Sequence, residues 1–126
     1  MNPLTIEWVN KAEADLLTAR REFRTRKSPK YDAVCFHAQQ AVEKFLKAIL
    51  QEKSLPIPRS HSLIEILVLI SKNDTNIILL QPEVNILEGY AVNFRYPGFT
   101  AEKVEAKQAL YAAERIRTIL RAKLAE

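Results

Sequence analysis

The chain has 126 residues, of which 48% are hydrophobic and 27% are charged. This length fits one domain, residues 1–126, with an ordinary hydrophobic core, and the composition is that of a soluble globular protein. A single cysteine, Cys35, excludes an internal disulfide and fits a reducing cytoplasm, where we expect the protein to reside. The longest apolar run, Ile66 to Ile70, is too short to cross a membrane, so no membrane contact is expected.

The net charge is +4, which permits nucleic-acid binding without implying it. The cations are unevenly distributed, in two stretches: Arg20, Arg21, Arg24, Arg26, Lys27 and Lys30 in the first, and Arg115, Arg117, Arg121 and Lys123 in the second. One interpretation is a solvated face with favourable charge at the carboxyl ends of helices. The other is a surface for phosphate or for an acidic partner.

The first predicted helix runs from about Ile6 to Arg26, with Thr5 as its N-cap, and Ser28-Pro29 ends it. Its apolar residues recur at steps of three or four and are expected to face the core: Trp8, Val9, Ala12, Leu16, Leu17, Ala19 and Phe23.

The second predicted helix, Tyr31 to Lys53, contains no glycine or proline and is rich in good helix formers. A broad apolar stripe predicts its buried face: Val34, Ala38, Ala41, Val42, Phe45, Leu46, Ile49 and Leu50. The face opposite carries the polar residues Gln39, Glu43, Lys44 and Lys47. The stripe of Gln40, Glu43, Lys44 and Lys47 is interpreted either as a solvated surface or, beside Arg95, as a polar groove. His37 and Gln40 lie between the two faces, and Cys35 is interpreted as a packed thiol.

Two prolines make the segment from Ser54 to Arg59 a connector. A third helix is predicted from His61 to about Lys72, capped by Ser60. The stretch from Ile77 to Leu80 is interpreted as a helical turn or packed loop, because the sequence offers no partner strand.

A fourth helix is predicted from Pro82 or Glu83 to about Phe94, and Pro97-Gly98 ends it. The last helix is predicted from Ala101 to Ala125 with Thr100 as its cap. Its expected core positions are Val104, Leu110, Ala113, Ile116, Leu120 and Leu124. The predicted fold is therefore all-α, an up-and-down antiparallel bundle of four or five helices.

The inventory of reactive groups is small. Two histidines and one cysteine form no cluster with metal-ligand spacing, and no glycine-rich phosphate loop is present. We therefore expect no metal and no cofactor, and any chemistry has to come from Arg, His, Tyr and Lys side chains that meet between helices.

Four stretches together resemble the HEPN domain family (higher eukaryotes and prokaryotes nucleotide-binding). They are Trp8 to Leu17 (Trp-x3-Ala-x2-Asp-Leu-Leu), Cys35 to Ala48 (Cys-Phe-His-Ala-Gln-Gln-Ala-Val-Glu-Lys-Phe-Leu-Lys-Ala), His61-Ser-Leu63 and Arg95-Tyr-Pro-Gly98. They occur in the family's order and span nearly the whole chain. The resemblance implies a bundle of about five helices that commonly forms a homodimer.

The resemblance leaves two classes of function open. Many HEPN members are metal-independent ribonucleases, with an arginine that holds phosphate and a histidine four to six residues later that transfers a proton. Others are non-catalytic partners of small nucleotidyltransferases in toxin–antitoxin or related pairs, and nucleotide binding has been proposed for the group.

This sequence departs from the ribonuclease motif. Arg95 stands at the expected position, but the segment from Tyr96 to Lys103 contains no histidine. A ribonuclease would have to use His37 or His61 instead, so the tentative catalytic residues are Arg95, His61 and His37. The candidate residues for binding nucleotide or phosphate are Arg95, Tyr96, Gln40, Lys44 and Lys47. The sequence favours a dimeric module, catalytically diverged, that binds a nucleotide or a small nucleotidyltransferase partner; a ribonuclease that acts on RNA and a protein-interaction scaffold are the alternatives.

Overall fold

The computed structural model describes residues 1–94 and 96–125, apart from the side chains of residues 91 and 92. Within this part of the chain there are five α-helices, a short 3₁₀ helix and no strand: α1 (Pro3–Phe23), α2 (Tyr31–Glu52), α3 (Leu63–Ser71), the 3₁₀ helix (Thr75–Leu80), α4 (Gln81–Asn93) and α5 (Lys103–Leu124). Helices α1 and α2 are antiparallel, as are α4 and α5. The predicted all-α bundle is confirmed.

Helix α2 is the centre of the bundle, because it packs against each of the other four α-helices. Every residue of its predicted apolar stripe is buried, and Phe45 is fully enclosed. Cys35 is buried as well, as expected for a packed thiol, and burial together with the nearby Asp32 and Glu105 carboxylates raises the pKa of its thiol to about 12.

Helix α1 begins three residues before its predicted start. Asn2 is the N-cap, since its Oδ1 accepts a hydrogen bond from the Thr5 backbone N–H at 2.8 Å, and Pro3 suits the first turn. The prediction that Thr5 caps the helix is wrong, because its hydroxyl instead donates to Glu52 at the end of α2. The helix also ends earlier, at Phe23, and Leu17 faces solvent rather than the core.

Helix α3 begins at Leu63, so His61 lies outside it. Its N-cap is Ser62, whose hydroxyl accepts from the Glu65 N–H, and not Ser60 as predicted. The predicted helical turn from Ile77 to Leu80 is confirmed by the 3₁₀ helix there.

Helix α5 is capped by Glu102 rather than Thr100. Glu102 and Glu105 form a capping box, in which the Glu102 N–H donates to the Glu105 carboxylate at 2.9 Å. Because the helix starts at Lys103, Val104 lies on its first, exposed turn, and its prediction as a core residue is wrong. Of the other predicted core positions, Leu110 is half-buried and the remaining four are buried: Ala113, Ile116, Leu120 and Leu124.

The second basic stretch ties α5 to its neighbours through carboxylates. Arg117 forms a two-pronged hydrogen bond with Glu13 of α1, with Nη2 2.8 Å from Oε2, and Arg121 is 3.9 Å from the same carboxylate. Arg115 and Lys123 each donate a single hydrogen bond to a carboxylate, at 2.8 Å to Glu83 and at 2.6 Å to Asp74. This stretch therefore belongs to the packing of the bundle and not to an open cationic surface.

Because carboxylates such as Glu13 and Glu52 are hydrogen-bonded in the folded protein, we expect the protein to be less stable in acid. The hydrogen bonds from Arg117 hold the pKa of Glu13 below its ordinary value, and the Asn2 N–H and the Thr5 hydroxyl do the same for the pKa of Glu52. A carboxyl whose pKa is lower in the folded state stabilises the fold above its unfolded pKa, and that stabilisation is lost as pH falls through the folded pKa. We expect the melting temperature to decrease when the pH is lowered below about 4.5.

Circular-dichroism melts from pH 7 to pH 3 measure this effect. Glu13→Gln is expected to lower the melting temperature at pH 7 and to flatten its decline in acid. Glu7→Gln is the matched control, because Glu7 is exposed on the same helix and makes no ion pair with any residue described here. An acid decline as steep in Glu13→Gln as in the native protein would contradict the assignment.

Candidate functional site on the polar face of α2

The candidate site lies on one side of α2, which we call the polar face. It consists of His37, Gln39, Gln40, Glu43, Lys44 and Lys47. In contrast to a solvated surface, Gln39, Glu43 and Lys47 are only 1%, 4% and 6% exposed. Two neighbours in space help to cover Glu43 and Lys47: His61 lies against Glu43, and the Trp8 ring of α1 lies 5.8 Å from the Lys47 ammonium.

Asp15 of α1 organises one end of the polar face. Its Oδ1 is 2.9 Å from Nδ1 of His37, and its Oδ2 accepts a hydrogen bond from the Lys44 ammonium. Sequence reasoning did not assign Asp15 to the site. Its signal was present, since a carboxylate within an apolar helix face is unusual unless it is paired.

Glu43 organises the other end of the polar face. Its Oε2 accepts from the Lys47 ammonium at 3.1 Å and lies 3.2 Å from Nδ1 of His61. The imidazole of His61 is 76% exposed, whereas the carboxylate beneath it is almost completely buried. The connector between α2 and α3 therefore places a solvent-facing histidine on a buried ion pair.

The two histidines have the same arrangement. Each holds a carboxylate at Nδ1, and the Nε2 atom of each has no hydrogen-bond partner in the described part of the chain. A carboxylate at Nδ1 fixes the ring orientation and favours the tautomer in which Nε2 accepts a proton. His37 is part of α2, and His61 contacts α2 through Glu43. These two positions on α2 are about 9 Å apart along the helix axis.

The lysines proposed to bind phosphate differ in access. Lys47 is enclosed between Glu43 and Trp8, so its charge is already compensated. The side chain of Lys44 is one-quarter exposed, and its ammonium is held by Asp15. Gln40, one turn before Lys44 on α2, is half-buried, and its side-chain amide donates to the Gln39 side-chain oxygen Oε1 at 2.8 Å. Lys44 and Gln40 are thus the accessible members of the predicted binding set.

Two predicted site residues lie in the segment between α4 and α5. Arg95 falls outside the described residues. Tyr96 is 62% exposed and begins a turn that Gly98 completes with a φ of 93°, a conformation that favours glycine. The predictions for Arg95 and Tyr96 as phosphate or nucleotide ligands stay predictions.

Metal sites and membrane spans are both missing from the part of the chain that the structure describes. No group of three or more His, Cys, Asp and Glu side chains is placed to hold a metal ion there. Nor is any described helix long and apolar enough to span a bilayer.

The fold and the polar face define a helical-bundle protein built around a central helix with carboxylate-bound histidines. The HEPN domain family matches residues 5–123, and the chain belongs to that family. No curated protein matches it.

Two solved structures have the same fold. The protein TT1696 from Thermus thermophilus is 25% identical with a TM-score of 0.80, over 94% of this chain and 97% of that one. ST0689, an archaeal HEPN homologue, is 23% identical with a TM-score of 0.73, over 94% of this chain and 96% of that one. The bundle predicted from the HEPN resemblance is therefore confirmed.

Proposed function

We propose that this HEPN protein is a cytoplasmic, dimeric binding module that takes a nucleotide at the polar face of α2. A small nucleotidyltransferase is its proposed protein partner, in a toxin–antitoxin-like pair. The observation that carries the proposal is the access of Lys44 and Gln40 on the polar face, where Lys44 offers a cation and Gln40 an amide. The absence of a histidine after Arg95 in the ribonuclease motif favours binding over cleavage.

The accessible groups define where the nucleotide would bind. Lys44 offers an ammonium that Asp15 holds in one position, so little side-chain entropy is lost when a phosphate joins it. Gln40 presents an amide beside it for hydrogen bonds to the ligand. A phosphate would share the Lys44 ammonium with the Asp15 carboxylate, so the site needs a second cation. The family resemblance implies that Arg95 supplies it.

Exposed apolar side chains support the proposed homodimer. Large hydrophobic residues that face solvent include Leu4, Leu17, Leu79, Val104 and Tyr111. Exposed apolar side chains are stabilised when a second copy covers them. Sedimentation equilibrium of the purified protein measures the dimer directly.

A nucleotide panel tests the binding site. We expect a mononucleotide or nucleoside triphosphate to raise the melting temperature, and Lys44→Ala to weaken its binding about fivefold to tenfold. Lys107→Ala on α5 is the matched control, because Lys107 is exposed and loses the same charge without touching the polar face. The proposal fails if no nucleotide changes the melting temperature and no nucleotidyltransferase co-purifies.

The paired histidines favour a second candidate, a metal-independent ribonuclease that uses Arg95 with His37 or His61. Each histidine has the carboxylate at Nδ1 that a general acid or base uses for orientation. This candidate predicts cleavage of total RNA in chelator that disappears in Arg95→Ala and in one histidine variant. Intact RNA, or cleavage that survives in all three variants, excludes it. A tight protein complex with neither nucleotide binding nor cleavage would instead identify a scaffold.

A further inference from the structure

A small cavity lies where α2 and α5 end, beside the turn that opens the 3₁₀ helix; we call it the terminal cavity. Its volume is about 210 Å³. Pockets that hold drug-sized molecules measure about 300–1,000 Å³, so this one suits a smaller molecule. Its wall combines apolar and charged side chains: Ile49, Glu52, Lys53, Asp74, Lys123 and Leu124.

The charges in this wall sum to zero and include a fixed ion pair. Glu52 and Asp74 are carboxylates, and Lys53 and Lys123 are ammonium groups. The Lys123 ammonium donates to Oδ2 of Asp74 at 2.6 Å, and these two side chains are only 25% and 19% exposed. The hydrogen bond from Lys123, together with the field of Lys53, holds the pKa of the Asp74 carboxyl below its ordinary value. The terminal cavity therefore presents a positive and a negative charge side by side.

These charged groups keep hydrogen-bonding capacity for a ligand. A carboxylate has about four acceptor positions, and Asp74 uses one for Lys123 and one for the Asn76 N–H at 3.2 Å. The Lys123 ammonium has further N–H donors beyond the one that Asp74 accepts. Lys53 is exposed and makes no ion pair with any described residue.

The backbone at the end of α2 holds Lys53 in place at the cavity. The Leu55 N–H donates to the Leu50 carbonyl at 2.9 Å. The Ser54 N–H donates to the Gln51 carbonyl at 3.1 Å, which completes a Schellman motif. Ser54 has a φ of 56°, a conformation that favours glycine, so the chain accepts a backbone cost directly after Lys53. Strained backbone of this kind is concentrated at binding sites.

The chemistry of the wall selects a ligand with two opposite charges. An anion such as phosphate would face two carboxylates and also the carboxyl ends of α2 and α5, whose partial charge is negative. A simple cation would face two ammonium groups. A molecule with adjacent positive and negative charges can align antiparallel to the Asp74–Lys123 pair, so that each of its charges lies against an opposite one.

We infer that the terminal cavity binds a free α-amino acid with an aliphatic side chain. Its ammonium would lie against Asp74, and its carboxylate against Lys123 and Lys53. Its side chain would pack on Ile49 and Leu124, which are 3% and 5% exposed and form the apolar part of the wall. A peptide terminus carries only one of the two charges and fits less well. The inference is independent of the nucleotide site proposed for α2, because it uses none of the polar-face residues.

Isothermal titration calorimetry with L-leucine, taken to about 10 mM, tests the inference. Glycine is expected to bind at least about tenfold more weakly, because it has no side chain to bury in the cavity. L-leucinamide lacks the carboxylate and N-acetyl-L-leucine lacks the ammonium, so each is expected to bind at least about tenfold more weakly than L-leucine. No binding of L-leucine, or equal binding of either derivative, would overturn the inference. Inorganic phosphate that competes with L-leucine at equal concentration would also overturn it.

Substitution of Lys53 locates the site. Lys53→Ala is expected to weaken L-leucine binding about tenfold, because the ligand carboxylate loses one of its two cations. Lys107→Ala is the matched control, since Lys107 is an exposed lysine about 24 Å before Lys123 along α5. Equal weakening by the two variants would contradict the assignment. Both positions are exposed, and circular-dichroism melts verify that each variant is folded.

Discussion

Replacing Glu43 with alanine is expected to lower the free energy of unfolding by about 3–5 kcal/mol. Glu43 is almost completely buried and holds the Lys47 ammonium at 3.1 Å. Removing the carboxylate leaves a cation that is 6% exposed without its counter-charge, and desolvation of an unpaired ion is costly. Chemical denaturation measures the loss directly.

A rescue variant distinguishes this cause from simple loss of packing. The double variant Glu43→Leu, Lys47→Met replaces the ion pair with apolar side chains of similar size, and its stability is expected to return to within about 1 kcal/mol of the native protein. Glu7→Ala is the surface control, with an expected change of about 0.5 kcal/mol or less. A Glu43→Ala cost no larger than that of Glu7→Ala would contradict the prediction.

The same double variant decides the role of Lys47 in the proposed nucleotide site. An enclosed lysine that is already paired offers a ligand little, so nucleotide affinity is expected to be unchanged in the double variant. Affinity that falls as far as in Lys44→Ala would instead make Lys47 a phosphate ligand. This comparison separates a structural role from a binding role on one helix.

Phe45→Ala is expected to cost about 3–5 kcal/mol and to lower the melting temperature by about 10–20 °C. Phe45 is fully buried at the middle of α2, the helix that packs against every other α-helix. Truncation there opens a cavity that the surrounding helices cannot close without moving.

Phe99→Ala is the matched control for this change, because it removes the same atoms from an exposed ring. Its expected effect on the free energy of unfolding is about 0.5 kcal/mol or less. Similar melting temperatures for the two variants would show that α2 is not the centre of the core.

The unlike effects expected of Glu43 and Lys44 show what sequence periodicity misses. Both residues lie on the polar side of α2, and their spacing placed both in the same polar stripe. In the structure one is buried under His61 and the other is partly open beside Asp15. His61 is 18 residues from Glu43 in the sequence, and Asp15 is 29 residues from Lys44. These contacts therefore form only when the chain folds back on itself.

Helix boundaries show a smaller difference of the same kind. Thr5, Ser60 and Thr100 are all residue types that cap helices, yet Asn2, Ser62 and Glu102 do so instead. Several residues near each helix start satisfy the local preference for a cap. Tertiary hydrogen bonds select among them, as Glu52 does when it engages Thr5.

The sequence by itself determined the all-α class, the central position of α2 and membership in the HEPN family. These follow from local periodicity, from helix breakers and from a motif that spans one helix, all of which are independent of long-range contacts. Only the tertiary structure decided which carboxylate holds which histidine, which lysine is open to a ligand and which carboxylates pair with the second basic stretch. The physical reason is that burial and ion pairing are set by side chains from distant segments, which come together only when the helices pack.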